Sequence, residues 1–206
     1  MGQLLEKLFE SVPKIKILRT FLRNPEENFT FSELQKRTQV KSQALKSELT
    51  KLNNIDLIQD KIVTRKEELT VRKKVKIKKY KAKVFYVNPE FRLLTELRNL
   101  IARDSITSHK KIAQEIRSLG NVKLAVISGI FLDSERSRTD LLVVGDNIKR
   151  QRFERFLSQV ESEIGRTLQY TIMNSKEFEY RRDMYDRFLR DILEYPHQKL
   201  INKLEI

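Results

Sequence analysis

Between Lys61 and Lys83 the chain carries eleven Lys or Arg against two Glu, a local excess of nine positive charges. The first hundred residues hold 23 basic and 12 acidic side chains, and the remaining 106 hold 19 and 16. This one segment therefore supplies most of the net charge of +14. In Val71–Tyr80, Val71, Val75 and Ile77 sit at odd positions among Lys and Arg. Period-two alternation predicts a strand with one apolar and one cationic face. Ile55–Ile62 reads as the strand before it and Val84–Val87 as the returning strand, with Asn88-Pro89 closing the unit. By itself such a charge run is a solvated face or a surface for a polyanion.

The segments upstream are helical. Leu4–Phe9 is short and amphipathic, and Pro13 suits the first turn of the next helix. Ile15, Ile17, Leu18, Phe21 and Leu22 give that helix an apolar side, and Asn24-Pro25 ends it. Thr30 with Glu33 fits a capping box for a helix over Phe31–Arg37. Thr38–Lys41 reads as a turn, with Ser42 as N-cap of a helix over Gln43–Asn53. In that helix Leu45, Leu49 and Leu52 form a buried stripe, and Gln43, Lys46, Ser47, Thr50 and Lys51 lie opposite. Helix, capped helix, turn, helix, strand, basic hairpin, strand: this order over Pro13–Pro89 resembles the winged helix-turn-helix transcriptional regulators of prokaryotes, of the MarR/ArsR-like kind. The resemblance implies binding of double-stranded DNA. Gln43, Lys46, Ser47, Thr50 and Lys51 would face the major groove, and Arg72, Lys73, Lys74, Lys76, Lys78 and Lys79 would meet phosphates from the wing. The wing is longer than the family's usual few-residue tip.

Phe91–Arg103 is expected as a helix with Leu93, Leu94, Leu97, Leu100 and Ile101 on one face, a core stripe or a homodimer interface. The expected organisation is a DNA-binding domain over 1–90, a linker helix over 91–104 and a second domain over 105–206. In that domain Ile112–Leu119 reads as a helix closed by Gly120. Val122–Ser128 and Thr139–Val144 read as buried strands, Lys149–Ile164 as a helix and Leu168–Met173 as a third strand. Phe178–Leu193 reads as mostly helical, and Pro196 as the opening of a last turn. Alternating strands and helices indicate an α/β domain. The fold class expected overall is α+β and α/β, the second domain having a small mixed sheet flanked by helices.

The run from Val126-Ile127-Ser128-Gly129 to Arg138-Thr139-Asp140-Leu141-Leu142-Val143-Val144-Gly145-Asp146 resembles the nucleotidyltransferase superfamily, over about Val122–Leu193. That family places Gly-Ser at the end of one strand, Asp-x-Asp at the entry to the next, and a third carboxylate on a later strand. Phosphoryl transfer with two metal ions needs these carboxylates, because hard divalent cations take oxygen ligands. Here Asp140 holds the second Asp position, Arg138 falls on the first, Ile130 replaces the serine and Gln169 falls on the third carboxylate. The resemblance therefore implies a degenerate domain without catalytic residues, Ser128, Gly129, Arg138 and Asp140 being a nucleotide-binding remnant. A structural role for Asp140, capping a strand or pairing with Arg138, is the alternative, and Asp133, Glu135 and Asp146 are the remaining carboxylates for a shifted site.

The chain has no Cys, and its two His, His109 and His197, are isolated. That excludes a structural zinc site, and no metal or cofactor is expected. The longest apolar runs, Leu124–Ile127 and Leu141–Val144, are too short to span a bilayer. Met1–Val12 carries acids and no cleavage pattern of a signal peptide. No membrane association and a cytoplasmic location are the expectation. The leading functional expectation is a sequence-specific DNA-binding regulator whose second domain binds a ligand, a nucleotide or a protein partner. An active nucleotidyltransferase targeted by its winged helix, and an antitoxin-like protein-binding module, are the alternatives.

Overall fold

A computed structural model describes residues 4–71, 74–103, 109–132, 134 and 137–206, with the backbone alone for 67–71, 74–77 and 103. The chain has mixed α and β content and two small sheets, of three and four strands. It divides into two units, Gln3–Asp104 with Ile164–Arg166, and Ser105–Glu163 with Thr167–Ile206.

The first unit starts with α1 (Leu4–Leu8) and α2 (Val12–Arg23). Ser11 caps α2 by accepting from the Lys14 amide, and Pro13 occupies its first turn. There the missing N–H costs no helical hydrogen bond. Ile15, Ile17, Leu18, Phe21 and Leu22 are buried. The short strand β1 (Phe29–Thr30) leads into α3 (Phe31–Thr38) through the capping box. Thr30 Oγ1 accepts from the Glu33 amide at 3.3 Å, and Glu33 Oε2 accepts from the Thr30 amide at 2.7 Å. Gln39, in the left-handed region at φ 53°, ends α3. Helix α4 (Ser42–Asn54) buries Leu45, Leu49 and Leu52, each side chain contributing about 1.5–3 kcal/mol of transfer free energy. Lys41, not Ser42, stands at its N-cap and makes no side-chain capping bond. The helix starts one residue earlier than the serine suggests.

Strands β2 (Ile58–Val71) and β3 (Lys74–Val87) pair antiparallel in one register, from Ile58↔Val87 to Val71↔Lys74. The pairing runs unbroken between those two pairs, where the sequence suggested separate strands over Ile55–Ile62, Val71–Tyr80 and Val84–Val87. Strand β1 pairs only with Val84 and Phe85 of β3. Beyond these residues the ribbon is a two-stranded arm, about 30 Å long at about 3.3 Å per residue. Helix α5 (Leu94–Arg103) begins three residues later than expected. It belongs to this unit: Ile101 is buried in the same core, with Phe91, Leu94 and Leu97 packed against it. The segment expected as a linker is thus part of the first unit's packing.

The second unit contains α6 (His109–Arg117), β4 (Asn121–Ile127), β5 (Leu141–Asp146), α7 (Arg150–Ile164), β6 (Tyr170–Met173), α8 (Ser175–Asp183), α9 (Arg187–Glu194) and β7 (Gln198–Asn202). The sheet order is β6-β5-β4-β7. Strands β4 and β5 are antiparallel, β5 and β6 parallel, and β4 and β7 antiparallel. Leu124, Val126, Leu142, Val144 and Met173 form one apolar cluster with Phe178, Leu189 and Ile192 of α8 and α9. Nearly every residue of β4 and β5 is buried, as in strands covered on both faces.

Two expectations fail in this unit. The residues after Pro196 form the edge strand β7, not a final turn. Gly120 is not a left-handed helix cap: α6 ends at Arg117, and Gly129 and Gly165 are the glycines with positive φ among the described residues. Gly120 is needed for proximity, since a Cβ there would lie 2.6 Å from the Asn147 carbonyl oxygen. No helix among the described residues is long and apolar enough to cross a membrane.

Candidate nucleic-acid interface and the surroundings of Asp140

Packing of the leucine stripe fixes the rotation of α4. Gln43, Lys46, Ser47, Thr50 and Lys51 are all exposed. Two of them are engaged within the protein. Thr50 donates its hydroxyl to the Lys46 carbonyl at 3.0 Å. Lys51 lies 2.9 Å from Glu48 Oε1. Glu48 shares the buried side of α4 with the leucines and is 7% exposed. Ser11 donates its hydroxyl to Oε1 at 3.4 Å, and Lys14 lies 3.8 Å from Oε2. The buried acid thus ties α4 to the start of α2. It stands at i+3 from Leu45, a core position by helical spacing, and that spacing is the signal that finds it. Lys36 and Lys41, exposed around the turn before α4, are cations that the sequence reading passed over.

The arm is fastened at its base. Arg65 forms an ion pair with Glu33 of α3 and donates to the Asn28 carbonyl at 2.8 Å. Burial alone would push the Glu33 carboxyl up. The hydrogen bonds from the Thr30 amide and the Arg65 guanidinium outweigh it and hold the group below its ordinary value. Lys83 pairs with Asp60 across the strands at 3.0 Å. Further out, Lys66, Lys78, Lys79 and Lys81 are exposed. Lys81 was missed, because the returning strand was expected to start only at Val84. Lys78 and Lys79 are neighbours along β3 and so project from opposite faces, which puts charge on both sides of the arm where one cationic face was expected. Lys66 and Lys79 are direct cross-strand partners. Of the other residues expected to meet phosphates, Lys74 and Lys76 are described by their backbone, in β3, and Arg72 and Lys73 lie outside the described residues.

In the second unit Ser128, Gly129, Arg138 and Asp140 cluster where β4 ends and β5 begins. Asp140 Oδ1 accepts from the Ile130 amide at 2.8 Å and Oδ2 from the Gln169 amide at 2.9 Å. Both carboxylate oxygens therefore hold the protein's own backbone. Ser128 donates its hydroxyl to the Thr139 carbonyl at 2.5 Å, and the Ser137 hydroxyl lies 2.9 Å from Ser128 Oγ. Arg138 does not pair with Asp140. Its Nε is 2.9 Å from Asp191 Oδ2 on α9, and Arg187 approaches the same oxygen at 4.0 Å.

Asp146, at the far end of β5, accepts from the Ser175 amide at 3.1 Å and the Ser175 hydroxyl at 2.7 Å. Those bonds, with Lys123 at 3.3 Å, hold its carboxyl below its ordinary value. Asp133 and Glu135 lie outside the described residues. Among the described residues no group of three or more His, Asp or Glu side chains converges on a point that would hold a metal ion. His109 lies at the start of α6, and His197 precedes β7 with Nδ1 2.9 Å from the Tyr195 carbonyl. Compared with known proteins, the chain matches no family model, no curated protein and no solved structure.

Proposed function

We propose that this chain is a sequence-specific double-stranded DNA-binding regulator. Its first unit is then a winged helix-turn-helix with α4 as the recognition helix and the β2–β3 arm as an extended wing. The observation that carries this reading is the solvent face of α4. Gln43, Lys46, Ser47 and Thr50 stand opposite a fully packed leucine stripe, in the same unit as an arm rich in exposed lysine. A helix presenting such side chains fits the major groove, where amides and hydroxyls read base edges. Cations along a ribbon supply affinity through phosphate neutralisation. The second unit is, on this reading, a nucleotidyltransferase-like domain without transferase chemistry, kept to bind a ligand or partner. Asp140 supports that part, since both its oxygens are engaged with backbone amides. Binding selection on a random duplex library tests the proposal. The wild type should enrich a defined sequence, and the Gln43→Ala/Ser47→Ala/Thr50→Ala variant should lose or change it. Enrichment of no sequence by the wild type would refute the reading.

A further inference from the structure

A second cationic feature lies in the unit that carries Asp140. The groove between α6 and the edge strand β7, about 340 Å³, is lined by His109, Lys110, Gln114, Arg117, Gln198 and Lys199. The helical residues recur at i, i+1, i+5 and i+8, one face of α6, while Ile112 and Ile116 are buried. Among the described residues no acid lines the groove. Lys110 and Arg117 are exposed and make no ion pair among the described residues. The next lysine along, Lys111, does not line the groove and is tied to Glu163 at 3.2 Å. Positive charge is thus compensated beside the groove and left open within it. Lys199 donates to the Ile206 carbonyl oxygen, so its ammonium is engaged within the protein and Lys110 and Arg117 are the open cations of the groove. Among the described residues strand β7 pairs with β4 alone, so its outer main-chain groups have no strand partner there.

This lining specifies its ligand. Its polar groups are cations, two side-chain amides and the His109 imidazole, a set rich in donors that suits an anion with many acceptor oxygens. Among the described residues no Phe, Tyr or Trp lines the groove, His109 is its single ring, and the apolar lining is limited to Ala113 and Leu200. A free nucleotide would find one imidazole and little apolar surface for its base there, whereas a sugar–phosphate backbone asks only for donors, which the cations and amides supply. We propose that the α6–β7 groove binds a phosphodiester backbone and gives the protein a second, sequence-independent nucleic-acid contact. This rests on the DNA-binding reading of the first unit.

The test uses the full chain and measures how duplex affinity depends on salt, with a duplex of arbitrary sequence. Each phosphate neutralised contributes about 0.9 to the slope of log affinity against log salt. Lys110→Gln/Arg117→Gln should flatten the slope by about 1.8, and Lys110→Gln alone by about 0.9. Lys111→Gln should leave it unchanged. As a reference, Lys78→Gln/Lys79→Gln/Lys81→Gln in the arm should flatten it as well. An unchanged slope in the groove variants, with the arm variant flattened, overturns the groove and spares the first unit's reading. Equal flattening by Lys111→Gln also overturns it, since the effect would then be general charge. So does groove-dependent binding of a polyglutamate peptide with the DNA slope intact, which would make the occupant an acidic protein. A wild type without duplex affinity overturns both readings.

Discussion

The Asp140 carboxylate occupies the space that a side chain at residue 129 would need: a Cβ on Gly129 would lie 2.2 Å from Asp140 Oδ1. Gly129 also has φ +55°, a region costing other residues about 1–2 kcal/mol. Close approach and backbone handedness therefore select glycine together. Gly129→Ala should lower stability by at least about 2 kcal/mol, read as a fall in the urea midpoint at constant slope. A midpoint within error of wild type would mean that the turn and the carboxylate separate at little cost.

Removing the carboxylate gives the complementary prediction. Asp140→Ala leaves the Ile130 and Gln169 amides without their acceptor. Hydrogen bonds to charged groups are worth about 1.5–3 kcal/mol each, less where water replaces them. A half-exposed site sets the expected loss at about 2 kcal/mol. Asp140→Asn keeps one acceptor oxygen and should fall between. Duplex affinity should not change, because Asp140 lies in none of the surfaces proposed to meet DNA: α4, the arm and the α6–β7 groove. If Asp140→Ala melts like the wild type, the carboxylate does not hold this turn.

Glu48 restrains a cation of α4, the proposed recognition helix. Its buried carboxylate lies 2.9 Å from Lys51, so that ammonium is turned toward the protein. Glu48→Gln should release Lys51 and steepen the salt slope of duplex binding by up to about 0.9. Adding Lys51→Ala should cancel the gain. Steepening that survives the second substitution would assign the effect to Lys14 or to a shift of α4.

Most helices were legible because their apolar residues recur at helical spacing. Leu45, Leu49 and Leu52 fixed α4, and Thr30 with Glu33 marked the start of α3 through side-chain chemistry that the structure contains in full. What stayed hidden was set by distant partners. The five residues of β7 bury only Ile201, too little for a periodic signal, and the strand exists because β4 offers a free edge. The length of the arm was obscured because lysines fall on both its faces. Around Asp140, the departures from the expected pattern were visible in the sequence: Arg138 and Gln169 at carboxylate positions and Ile130 at the serine position. That Arg138 pairs with Asp191, 53 positions downstream, follows from the packing of α9 and no local pattern announces it.

Glu33 links the arm's base to pH. Its carboxyl lies below its ordinary value in the folded protein. A group with a depressed folded pKa contributes stability above the unfolded value, and the contribution disappears as pH falls through the folded value. Stability should therefore drop on acidification through and below the ordinary glutamate range. Glu33→Gln should be less stable at neutral pH and show a shallower loss over that window. Parallel acid profiles for the two proteins would exclude Glu33 as a contributor.

Lys66 and Lys79 face each other directly across the arm, both exposed. Like charges in that position destabilise a strand pair by about 0.2–1 kcal/mol. An anion held between them removes the repulsion, so the pair fits a ribbon that works against phosphate. Lys79→Gln should therefore move two properties in opposite directions. The melting temperature of the free protein should rise, by about 1–4 °C for roughly half a kcal/mol in a domain of this size. Duplex affinity should fall, with the salt slope flattened by about 0.9. Lys81 supplies the control, because its cross-strand partner is the uncharged Thr64. Lys81→Gln should weaken duplex binding to a similar degree without raising the melting temperature. If the two variants melt alike, the cross-strand repulsion is negligible. If Lys79→Gln stabilises the protein and leaves the salt slope unchanged, the arm does not approach phosphate at this point and its lysines serve only to keep the ribbon solvated.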